Sequence, residues 1–116
     1  VPASVPQLGY IFKEGWAGQH AELIAAFVRA SRAAREIMRT SDAEWQRLLP
    51  LTRAESPAQL DAFMRRYREG IPEHWGEEQR LQAARLYAVL AELGGPELVG
   101  RSATLDPGTF WSQVSF

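Results

Sequence analysis

The chain has 116 residues, 46% hydrophobic and 23% charged, with a formal net charge of −1. Such a composition belongs to a folded globular chain and sets aside disordered and fibrous classes, while the length suits one domain with a modest core. The lack of excess positive charge leaves no electrostatic footing for nucleic acid or an anionic membrane surface. The absence of cysteine removes disulfides, thiolate nucleophiles and thiolate metal sites.

In chain order, residues 5–12 (VPQLGYIF) are apolar, aromatic and β-branched, which predicts one short strand. Gly15 and Gly18 punctuate a turn. From 19 to 39 the residues Leu23, Ile24, Phe27, Val28, Ala34, Ile37 and Met38 recur at three-and-four spacing, the pattern of a long amphipathic helix. Ser41 and Glu44 form a capping-box signature that opens a helix over 42–49, burying Trp45, Leu48 and Leu49 and stopping at Pro50.

The same device recurs at Ser56-Pro57-Ala58-Gln59 and opens a helix over 57–69, with Leu60, Phe63, Met64 and Tyr67 inward and Gly70 at its end. A fourth helix over 77–93 carries Leu81, Ala84, Leu86, Val89, Leu90 and Leu93 on its apolar face. Gly94-Gly95-Pro96 closes it, with room for one further turn to Val99. Residues 101–116 lack a helical period and hold the turn signal Asp106-Pro107-Gly108 before Phe110 and Trp111, so they read as an extended tail pinned by aromatics. The expected fold class is therefore mainly α: a single helical segment over 1–116, with four to five helices after one short strand.

The chemistry-bearing residues form no catalytic constellation. His20 and His74 sit at a helix start and in a turn, positions that suit caps and surface. His74 with Glu73, Glu77 and Glu78 lacks metal-ligand spacing, and acidic residues in a first helical turn complement the helix dipole without a metal. Arg65, Arg66 and Arg68 at a helix C-terminus complement the same dipole and do not make a DNA-reading helix. There is no phosphate-binding glycine loop after a strand and no nucleophile elbow. No catalytic residue, metal site or cofactor is expected. The segment Leu8 to Trp16 joins aromatic rings, one cation and two glycines, a makeup suited either to packing a strand or to lining a small-molecule pocket.

The order strand, turn, then AELIAAFVRASRAAREIM from Ala21 resembles the solute-binding proteins of ABC importers for aliphatic sulfonates, taurine, nitrate and thiamine precursors. In that family a hinge strand enters such a helix, and further capped helices and an extended tail follow. One departure is Ala21, where the family has proline. The resemblance implies the C-terminal segment of an α/β type II periplasmic-binding fold, in which two lobes close on a ligand.

Its further implications are a periplasmic location, a small anionic or heterocyclic solute, an ABC permease as partner and a missing N-terminal lobe. A start at Val1 reads as a cut from something longer. Tyr10, Phe12, Lys13 and Trp16, beside the expected hinge, become the ligand-binding candidates. Helices deprived of their sheet would expose apolar surface, so self-association of the segment is expected. The alternative is a free-standing helical interaction or regulatory domain. A third is an enzyme of the same fold whose active site lies in another part of the protein.

Overall fold

The computed structural model describes residues 8–116, and these are mainly helical. They fall into two compact units, Tyr10–Ile71 and Pro72–Phe116, with Leu8 and Gly9 grouped with the second.

The first unit does not begin with a strand. Residues 8–12 are irregular, and residues 5–7 of the expected strand lie outside the described residues. A lone strand has no ladder partner for its amides, and no strand exists among the described residues to supply one. The turn expected around Gly15 and Gly18 is instead a helix, α1 (Glu14–Gln19), opened by Lys13. Its anchor is Ala17, which is fully buried.

The long helix α2 (Ala21–Thr40) follows after His20 breaks the helical dihedrals. Its end is held by three donors. The Ser41 amide bonds the Ile37 carbonyl at 2.9 Å. The Met38 carbonyl accepts from Trp45 Nε1 at 2.8 Å and from Arg68 Nε at 3.0 Å. Carbonyls in the last turn of a helix have no partner within it, so an indole and a guanidinium here replace the missing turn.

Ser41 then caps α3 (Asp42–Arg47), its hydroxyl accepting from the Glu44 amide at 3.3 Å. The reciprocal half of the expected capping box is absent. The Ser41 amide is already committed to Ile37, so the Glu44 carboxylate turns to Arg47 at 3.1 Å. Pro50 does not stop this helix. It sits in the first turn of α4 (Leu49–Thr52), where a missing N–H costs nothing. Arg53 then takes a left-handed conformation with φ of 55°.

Helix α5 (Pro57–Glu69) runs over the interval the sequence indicates, with the Ser56 hydroxyl accepting from Gln59 and the Gln59 side chain returning to the Glu55 amide. Leu60 and, just beyond the helix, Ile71 are buried, while Phe63 and Tyr67 stay exposed rather than inward. Tyr67 nevertheless meets the buried Trp45 edge-on at 5.3 Å.

The second unit is α6 (Glu77–Val99) and the tail. Gly95, with φ of 58° and ψ of −162°, interrupts the helix before a last turn through Pro96. This backbone conformation is open essentially to glycine alone. Of the apolar face expected here, Ala84 and Leu86 are half-buried while Leu81, Val89, Leu90 and Leu93 are exposed, and Arg80, Tyr87, Ala91 and Gly94 are also partly covered. The tail is irregular apart from a 3-10 turn at Pro107–Thr109. Trp75 and Phe116 exchange both main-chain bonds, at 2.9 and 3.0 Å, and Trp75 meets Phe110 edge-on. Arg80 donates to the Val114 carbonyl at 2.9 Å. The Tyr87 hydroxyl is shared between the carbonyls of Val99 and Ser102, 2.9 Å from each.

Candidate functional site

The four residues singled out from the sequence all lie at the start of the first unit. Tyr10 and Phe12 stand on irregular chain, Lys13 supplies the residue before α1, and Trp16 lies within α1. All four side chains are exposed.

The structure brings Tyr10 to α2 and Trp16 to the residue between α1 and α2. The Tyr10 ring meets Phe27 of α2 edge-on at 4.7 Å. Trp16 stacks on His20 at 4.5 Å, four residues along. His20 Nδ1 lies 2.8 Å from the Trp16 carbonyl. A carbonyl only accepts, so Nδ1 is the donor in this bond. Lys13 contributes its carbonyl to the Ala17 amide at 2.9 Å.

A concavity of about 150 Å³ lies elsewhere in this unit, lined by Gln46, Leu49, Ala54, Ser56 and Leu60 among others. The Ser56 hydroxyl at its edge is occupied as a helix cap. The Gln46 amide and the Glu55 carboxylate also line it, beside the apolar Leu49, Ala54, Pro57 and Leu60. Among the described residues no three His, Asp or Glu side chains are grouped to hold a metal ion, and no helix is long and apolar enough to cross a membrane.

The feature missed by sequence reasoning is the direction in which α2 faces. At about 100° per residue, two parallel stripes run along this helix, roughly a quarter turn apart. One stripe, Ala21, Ile24, Val28, Ser31, Arg35 and Met38, is buried or half-buried. The other, Leu23, Phe27, Ala30, Ala34 and Ile37, is exposed along its whole length. Leu23 is 55% exposed, Phe27 46% and Ile37 51%. The polar residues Ser31 and Arg35 thus sit on the covered stripe, and the wholly apolar stripe faces out. A surface helix ordinarily turns its apolar arc to the core, and here only the part carrying Ala21, Ile24, Val28 and Met38 is covered. The sequence shows only that the apolar arc of α2 is too wide for one packing seam, and not which part of it the chain covers.

No family model, curated protein or solved structure matches the chain. The described residues offer the chemistry of their surface. It consists of apolar helix faces, an aromatic cluster at the start of the first unit and hydrogen-bonding groups largely committed to helix ends.

Proposed function

We propose that the chain acts by presenting unburied apolar helix faces to another polypeptide, and that it is the helical part of a periplasmic solute-binding protein serving an ABC importer. The observation that supports this reading is that all three long helices leave large apolar side chains outside, among them Phe27 on α2, Phe63 on α5 and Leu93 on α6. A helical cover that normally lies on an α/β lobe has this appearance when described alone. The resemblance that begins at Ala21 adds the same order of helices and tail. In this reading no bond is broken. The rest of the protein completes the lobes, a small anionic or heterocyclic solute binds between them, and a permease receives it. Tyr10, Phe12, Lys13 and Trp16 then contribute to the solute or hinge contact.

A second reading is favoured by the irregular backbone at residues 8–12, where a hinge strand was expected. In it the chain is a free-standing helical interaction domain that takes a partner protein on the same faces.

Two measurements test these readings. Osmotic-shock fractionation of the source cells, probed with an antibody to the chain, should release it with periplasmic markers, and retention in the cytosolic fraction overturns the importer reading. Tryptophan fluorescence of the native protein, titrated with taurine, an alkanesulfonate, nitrate and an aminopyrimidine, should saturate with one of the four. A flat response to all of them favours the interaction domain.

A further inference from the structure

We infer that the outward stripe of α2 is a homodimer seam, on which a second copy of this chain docks its own α2 in antiparallel fashion. The inference deepens the docking reading and rests on it for α2 alone.

Three observations lead to a second copy as the occupant. The first is size order along the stripe. Large Leu23 and Phe27 open the stripe, small Ala30 and Ala34 follow, and Ile37 ends it. When two such helices run antiparallel about a two-fold axis near residue 30, Leu23 meets the partner's Ile37, Phe27 meets the partner's Ala33 and Ala34, and Ala30 faces its own copy. Each copy brings both the knobs and the spaces that receive them. A self-complementary patch of this kind is what an isologous two-fold interface requires.

The second is charge. The stripe carries no charged side chain, and the positions flanking one edge, Ala26 and Ala33, are also alanine. At the helical period the nearest charge on α2 is Glu22, about 100° from the seam, and Arg29, Arg32 and Glu36 project further away. A lipid surface would be met by basic flanks, and a charged partner by complementary ones. Alanine at the edge instead lets two helix backbones approach closely.

The third is area. Five exposed seam residues, with Ala26, Ala33 and the Tyr10 ring that leans on Phe27, offer roughly 500 Å² per copy, about 1,000 Å² in all, the size at which a specific interface becomes tenable. The seam spans fifteen residues, from Leu23 to Ile37.

Sedimentation equilibrium of the purified chain, 13.0 kDa as a monomer, should give the mass of two chains at micromolar concentration. Ala30→Arg places a cation at the centre of the seam on an already exposed position, so the helix signal in circular dichroism should persist while the dimer is weakened at least ~100-fold. Leu98→Arg, on the second unit, should leave the mass at two chains. Because the chain has no cysteine, single replacements report orientation directly. A mixture of Ala26→Cys and Ala33→Cys chains should form the mixed disulfide faster than either variant pairs with itself.

A monomer overturns the inference, and so does a mass above two chains or a dimer indifferent to Ala30→Arg. Preferential self-pairing of Ala26→Cys shows parallel helices and also overturns it. So does a monomer that instead co-sediments with phosphatidylcholine vesicles. None of these results decides the importer reading, which is tested by solute binding and cell fractionation, although a dimer seam on α2 leaves it the exposed faces of α5 and α6 alone.

Discussion

Tyr10–Ile71 closes around side chains, whereas Pro72–Phe116 closes around main-chain oxygens. The buried residues Ala17, Ile24, Trp45, Leu60 and Ile71 all belong to the first unit. In the second, the fixed points are the paired main chains of Trp75 and Phe116, Arg80 on the Val114 carbonyl and Tyr87 between two carbonyls. Full burial of a large apolar side chain contributes about 1.5–3 kcal/mol, while one hydrogen bond nets about 1 kcal/mol. The first unit should therefore resist denaturant through a few side chains, and the second should open locally at lower cost.

The largest expected effect tests the first half of that contrast. Trp45→Ala removes a buried indole, its edge contact with Tyr67 and its bond to Met38, and should cost about 3–5 kcal/mol. Urea unfolding followed by circular dichroism measures it. If the environment of Trp75 is lost at the same midpoint, the two units unfold as one and the contrast breaks.

Next is Gly95→Ala, which forces a side chain into a glycine-only conformation and should cost about 1–3 kcal/mol. Hydrogen exchange should show the loss in α6 and the tail, with α2 to α5 unchanged. Tyr87→Phe removes only the shared hydroxyl and should cost about 1 kcal/mol, read as faster exchange in the tail. An unaltered exchange rate there would show that the tail is held by its aromatics instead. The smallest effect is a gain. Arg53→Gly relieves a left-handed non-glycine residue and should stabilise the first unit by about 0.5–1 kcal/mol, read as a higher urea midpoint.

Much of the helical framework was legible because its signals are local. Ser56, Pro57 and Gln59 mark the start of α5 through groups that act within one turn, and Gly70 marks its end. The Gly94-Gly95-Pro96 break in α6 was legible for the same reason. At Gly94 space adds to conformation, since a Cβ there would meet the Leu98 Cβ at 2.6 Å.

The expected strand failed because a short apolar run reads equally as strand, loop or helix lead-in, and only a pairing partner decides. Helix α1 was missed because two glycines outweighed Ala17, whose burial depends on α2 lying beside it. The facing of α2 was illegible for a related reason. Leu23 and Ile24 are both apolar, and periodicity does not say which of two adjacent stripes the rest of the chain covers. The aromatic cluster at Tyr10 and Trp16 was visible as composition, while its attachment to Phe27 and His20 needed the fold.

The Met38 carbonyl has one more consequence. Because Trp45 comes from α3 and Arg68 from α5, a single oxygen ties two helices to the end of a third. Fraying of α2 past Met38 deprives both donors at once, and loss of either donor leaves the oxygen more dependent on the other. Removal of the indole and the guanidinium together should then be non-additive, in the manner of a keystone rather than of two independent pegs.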